Sequence, residues 1–166
     1  AVLHAEVRGV YAESIEKLID NFRELKPTIQ VGVPRIFEKI HARIMQRVAE
    51  ASPLRQRIFA WAMQVGRRSA PYRKAKRPLP LSLALCHALA DSLVFRAIRG
   101  VFGGRVKHLV CGGAPMPLEL LEFFYASGLL ILEGYGLTET VAPVSVNRPD
   151  DFRFGTVGRL IAGVEA

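Results

Sequence analysis

An α/β fold, with helices packed on a partly parallel sheet, is the architecture this sequence predicts. Three observations predict it. Short aliphatic or β-branched runs at Thr28–Val33, Val106–Val110 and Leu129–Leu132 alternate with longer segments of helical periodicity. Prolines and glycines mark most of the joints between them. Half of the 166 residues are hydrophobic, which suits one packed core and excludes a disordered tail.

The elements follow in order. Ile15, Leu18, Ile19, Phe22 and Leu25 recur at helical spacing and predict a helix over Ser14–Leu25, ended by Lys26-Pro27. Thr28–Val33 is β-branched and reads as a short buried strand. Pro34 suits the first turn of a helix over Arg35–Ala51, with Ile36, Phe37, Ile40, Ile44 and Val48 on one face. Ser52-Pro53 opens a third helix to about Arg68. Ser69–Pro80, with three prolines and four basic residues, predicts a linker. A long helix over Leu81–Arg99 stops at Gly100 and Gly103-Gly104. The strand Val106–Val110 enters the turn Cys111–Pro115, and Pro117–Ala126 is a helix. Leu129–Leu132 is a strand, Gly134–Thr140 a glycine-bracketed loop, and Val141–Val146 a further strand. No repeat of fixed period occurs.

The charge is concentrated. The chain carries 23 basic and 15 acidic residues, a net +8. Between Arg35 and Lys107 stand 16 Lys and Arg against Glu38, Glu50 and Asp91, a basic segment of net +13 beside an acidic remainder. It reads either as solvated helix faces or as attraction to an anionic membrane surface. Nucleic acid is not expected, since few aromatics interleave with these charges. Two cysteines, Cys86 and Cys111, make no disulfide framework and suit a reducing, cytoplasmic compartment. The scattered histidines form no metal or catalytic centre, and Cys111 reads as a small buried residue. The longest apolar runs, such as Leu81–Leu85, fall short of a bilayer span.

Ligands of α/β folds collect in loops beyond the carboxyl ends of strands, and two loops occupy that position. Gly112-Gly113-Ala114-Pro115 has small side chains and admits close approach by a planar base, or serves backbone geometry alone. In Gly134-Tyr135-Gly136-Leu137-Thr138-Glu139-Thr140, Tyr135 offers a ring for stacking and Thr138 a hydroxyl for a phosphate. Glu139 offers a hard oxygen ligand for Mg²⁺. A decorated turn is the alternative reading.

These residues resemble a known family. Gly134–Thr140 resembles the G-Y-G-x-T-E motif of the adenylate-forming superfamily of acyl-CoA synthetases, and Gly112–Pro115 its adenine-binding partner segment. Tyr11–Ile15, Gly32–Lys39, Val146–Pro149 and Gly155–Arg159 are similar to the long-chain fatty acyl-CoA synthetase branch. The likeness is weakest from Ser52 to Arg105. Cys111 stands where relatives often carry Ser.

The resemblance implies a ligase whose substrates are ATP, a long-chain fatty acid and coenzyme A. The acid forms an acyl-adenylate with release of pyrophosphate, and the coenzyme A thiolate then displaces AMP. By carry-over, Tyr135 stacks on adenine, Gly113, Ala114 and Pro115 line its site, Gly136 keeps the loop close to the adenylate and helps wall the acyl channel, and Gly112 and Gly134 belong to the same nucleotide-binding segments. Thr138 contacts the α-phosphate and Glu139 holds Mg²⁺, the pair carrying the chemistry. The resemblance also implies parts that this sequence lacks: a phosphate loop upstream, and a ribose-binding Asp, a hinge and a C-terminal domain with a catalytic Lys downstream. The expectation is an internal fragment of the large N-terminal domain, inactive alone and completed by other parts of a parent chain. Transfer to an acyl carrier protein, another acid substrate, or a basic membrane-peripheral module at the inner face of the membrane without catalysis are the alternatives.

Overall fold

A computed structural model describes residues 9–14, 17–140 and 143–164. Its centre is a five-stranded mixed sheet in the order β1 (Ile29–Gly32), β2 (His108–Cys111), β3 (Ile131–Gly136), β4 (Pro143–Val146) and β5 (Arg159–Leu160). β1, β2 and β3 run parallel, with Ile29 opposite His108 and Cys111 opposite Glu133. β4 and β5 add antiparallel, with Tyr135 opposite Ser145 and Val146 opposite Arg159. Parallel neighbours need crossovers, and helices supply them. α2 (Pro34–Ala49), α3 (Pro53–Lys74), α4 (Leu81–Ala90) and α5 (Arg96–Gly100) connect β1 to β2, and α6 (Leu118–Ala126) connects β2 to β3. The short α1 (Leu18–Leu25) precedes β1 and ends as Lys26 turns left-handed before Pro27. Residues 15 and 16 of the predicted first helix lie outside the described residues.

The core forms where helix faces meet the sheet. Phe37 and Ile40 of α2, Leu121 and Phe124 of α6, Leu109 of β2, Phe95 and Phe102 are almost fully buried. Phe124 is the hub of an aromatic cluster, edge-on to Phe37, Phe102 and Phe123 at centroid distances of 6.2, 5.9 and 5.2 Å. Such pairs add to the burial of apolar area. α3 approaches α6 closely at Gly66, where a Cβ would stand 2.5 Å from the Ala126 carbonyl oxygen. An alanine there forces the two helices apart.

Four expectations are corrected. The predicted linker from Ser69 is helical through Lys74, despite Pro71 inside α3. The turn is closed by a Schellman arrangement, with Arg77 N–H bonded to Tyr72 O at 2.9 Å, Lys76 N–H to Arg73 O at 3.1 Å and Lys76 left-handed at φ 52°. Lysine stands where glycine ordinarily signals such a cap, so the only cue to the helix end is Pro78 just beyond it. β1 is not buried: as an edge strand it leaves Ile29 and Val31 51% and 68% exposed. β3 runs on through Gly136, so the first half of the predicted Gly134–Thr140 loop is strand paired with β4. Finally, the long helix expected over Leu81–Arg99 is present, α4 and α5 being joined without a break by a π-helical turn at Asp91–Phe95. What is corrected is the expectation that apolar runs fall short of a bilayer span. The two helices make one helical run of 20 residues, long and apolar enough to cross a membrane by length and composition.

A candidate nucleotide cleft at the carboxyl ends of β2 and β3

The parallel register places the two predicted loops side by side. Cys111 pairs with Glu133, so Gly112 and Gly134 follow at adjacent strand ends. A Cβ on Gly112 would lie 3.4 Å from the Gly134 carbonyl oxygen. The Gly112 N–H is bonded to Gly32 O at 3.1 Å, which ties the loop to β1. Gly113 adopts φ +85°, a conformation L side chains rarely adopt, and turns the chain toward Pro115.

Between these loops opens a cleft of about 600 Å³, within the ~300–1,000 Å³ typical of small-molecule sites. Gly113, Ala114, Pro115 and Met116 form one wall, and Glu133, Gly134, Tyr135, Gly136 and Leu137 another. Tyr135 is 47% exposed. None of the lining side chains is cationic.

The third wall, Gly155-Thr156-Val157, is reached through residues that the sequence reading did not single out. Asn147 is 5% exposed. Its side-chain amide donates to the Thr156 carbonyl, and its Oδ1 accepts the Arg153 N–H at 3.1 Å. Glu133 is buried on β3, and its Oε2 accepts the Gly155 N–H at 3.0 Å. Gly158 sits at φ +76°, where a Cβ would stand 2.2 Å from the Val146 carbonyl. The available signal was the place of Asn147 inside the Val146–Pro149 likeness; Glu133 offered none, since an acid at a strand end has no spacing rule.

Thr138 and Glu139 are not among the lining residues. Both are exposed in the 3₁₀ turn Thr138–Thr140 that follows Leu137. Thr140 holds this turn: its Oγ1 accepts the Leu137 N–H at 3.1 Å and donates to the Leu137 carbonyl at 2.8 Å. No group of three His, Cys, Asp or Glu side chains is placed to hold a metal among the described residues. Cys111 is buried, and burial first, then Glu133 and Glu38, push its thiol up to about 11. It therefore stays protonated at neutral pH, which suits packing and not nucleophilic attack.

The AMP-binding enzyme family matches the chain over residues 2–166. The long-chain-fatty-acid–CoA ligase FadD15 of Mycobacterium bovis is 38% identical over 165 residues, 98% of this chain and 27% of that protein. Long chain acyl-CoA synthetase 1 of Arabidopsis thaliana is 38% identical over 154 residues, 90% of this chain and 22% of that one. The crystal structure of anthranilate CoA ligase AuaEII with anthranoyl-AMP aligns at a TM-score of 0.49 and 16% identity, over 95% of this chain and 20% of that chain. The chain thus spans about a quarter of the length of the curated relatives it matches. On the match over nearly its whole length, the chain belongs to the AMP-binding enzyme family.

Proposed function

We propose that this chain forms part of the ATP and acyl-adenylate site of a long-chain fatty acid–CoA ligase. The observation that carries the reading is the cleft in which Gly113-Ala114-Pro115 faces Tyr135 and Gly136. A cleft with small residues at Gly113-Ala114, one exposed aromatic ring and no cation suits the uncharged adenine and ribose better than the phosphates. Tyr135 stacks on the base, and the backbone of Gly113 and Ala114 reads its edge.

The triphosphate then lies toward Thr138 and Glu139, just beyond the cleft. Thr138 donates its hydroxyl to the α-phosphate. Mg²⁺ commonly takes one or two carboxylates together with phosphate oxygens and water, so a single exposed Glu139 is a donor set that fits it. When bound, the ion neutralises phosphate charge. The chain's own contribution is to hold the α-phosphorus in line with the fatty acid carboxylate, a matter of positioning more than of proton transfer. The names of the relatives at 38% identity favour coenzyme A as the acceptor over a carrier protein.

Because the chain covers a quarter of those relatives, the 166 residues alone are expected not to turn over. The test is fatty-acid-dependent ATP–pyrophosphate exchange with palmitate. The full-length protein carrying this sequence supports exchange, and the 166-residue chain does not. Absence of exchange by the full-length protein with every long-chain acid tried overturns the reading of function. Turnover by the short chain overturns the reading of incompleteness.

A further inference from the structure

The run Leu81–Gly100 is helical throughout, yet little of it is covered: 28% of its most apolar window is buried. Leu81, Leu85, Leu89 and Leu93 are 79%, 63%, 56% and 56% exposed. They follow one another at four-residue steps along one side of the run. In a pure α-helix such steps drift around the axis, because a turn takes 3.6 residues. The π-helical turn at Asp91–Phe95 is wider and reduces the drift at its end. The remaining exposed positions of this face up to Leu93 are Ser82, Ala88 and Ser92. The run's one acid, Asp91, is held by Arg99 through two bonds of 2.6 and 3.0 Å.

Both ends of the stripe are cationic. Lys76 and Arg77 are exposed just before it, and Arg96 just after. Beside Leu93 an apolar cleft of about 490 Å³ between α2, α3 and α5 carries Arg47 and Arg55. The opposite side of the run is committed to the protein: Leu83, Ala90, Phe95 and Ile98 are buried in the core. A helix docked on one side and apolar on the other has one face to offer. That geometry suits a helix lying on a surface and not one spanning it.

The geometry points to this leucine face as the place where the protein sits on an anionic lipid surface, with the four leucines in the headgroup–acyl boundary and the flanking Lys and Arg on lipid phosphates. Charge selects this occupant. The leucine face bears no free acid, and it belongs to a segment of net +13, which draws the chain to anionic headgroups through the first few ångströms of a screened field. The inference does not rest on the adenylation reading, since vesicle binding is measured without ATP.

The experiment uses the full-length protein and vesicles of phosphatidylcholine alone or mixed with phosphatidylglycerol. Sedimentation with the mixed vesicles is expected to exceed that with the neutral ones at least tenfold, and to fall as salt rises. The double variant Leu85→Glu/Leu89→Glu is expected to lose at least tenfold in bound fraction with an unchanged unfolding temperature. As a second measurement, Leu89→Cys carrying an environment-sensitive dye emits as a solvent-exposed probe in buffer and shifts to the blue when mixed vesicles are added. Equal sedimentation with both vesicle types overturns the proposal, as does full binding by the double variant. A dye already blue-shifted in buffer, or a large drop in unfolding temperature of the double variant, also overturns it, since another part of the protein or a second copy then covers the stripe.

Discussion

The Arg73 guanidinium lies 4.6 Å from the centroid of the Tyr125 ring and donates to the Tyr125 carbonyl oxygen at 2.5 Å. This contact fastens the last turn of α3 to the end of α6. It also removes Arg73 from the freely solvated charge that the basic segment suggests. Lys74 is similarly engaged, its Nζ 5.5 Å from the Phe152 centroid and 5.6 Å from that of Phe154. Within the cluster Arg73, Lys74, Lys76 and Arg77, the last two are therefore the residues left to act outward.

Arg73→Ala removes a charge-assisted hydrogen bond and a ring contact, and is expected to cost about 2 kcal/mol. Arg73→Lys retains the charge and loses the fork, so it should fall between the two. Denaturant unfolding measures the cost. Hydrogen exchange of the amides of residues 72–77 should accelerate in Arg73→Ala before the rest of α3 does; uniform acceleration argues against a local anchor.

Asn147 couples the third wall of the cleft to β4. Asn147→Ala strands the Thr156 carbonyl and the Arg153 N–H, at a cost of ~3 kcal/mol. Because that wall belongs to the proposed nucleotide site, KM for ATP should rise more than kcat falls. Steady-state kinetics of the full-length enzyme provide the check. Unchanged KM removes Gly155–Val157 from the site.

Tyr135→Ala is expected to raise KM for ATP about tenfold, the loss of one stacking partner. Tyr135→Phe keeps the ring and should remain within twofold of wild type, about the scatter of such measurements. A large effect of Tyr135→Phe transfers the role from the ring to the hydroxyl.

The protein should lose stability in mild acid. Burial lowers the His41 pKa from its ordinary 6.5, and burial, then Arg73, lowers that of His87, with Asp91 opposing and Arg99 adding. Folding therefore holds both rings neutral where the unfolded chain takes up protons. Stability declines as pH drops below about 6.5 and levels off below the folded values. Asp91 behaves likewise at lower pH: the Arg99 hydrogen bond holds its carboxyl below its ordinary 3.8, so that pair is lost only under stronger acid. Unfolding temperature against pH shows the first decline, and His41→Gln/His87→Gln should flatten it. A double variant with the wild-type slope places the titrating groups elsewhere.

Local rules carried most of the elements. Pro34 and Pro53 each open a helix, the apolar spacing of Phe37, Ile40 and Ile44 marks the buried side of α2, and Lys26-Pro27 closes α1. They failed where a distant partner decides the outcome. Pro71 reads as a helix breaker, yet the Arg73–Tyr125 contact and the Lys76 turn hold α3 together past it. Gly134 and Gly136 read as loop, yet β4 recruits them into the sheet.

The sequence by itself determined the α/β alternation, the two glycine-rich segments and their chemical equipment, because these depend on residue type and short spacing. The tertiary structure alone decided three things. It set the strand register that puts Gly112 beside Gly134, the Asn147 and Glu133 bonds that bring Gly155–Val157 up as a third wall, and the leucine stripe left bare on α4. Register, cross-chain hydrogen bonds and exposure arise between residues far apart in sequence, and no local pattern encodes which surface a folded chain leaves uncovered.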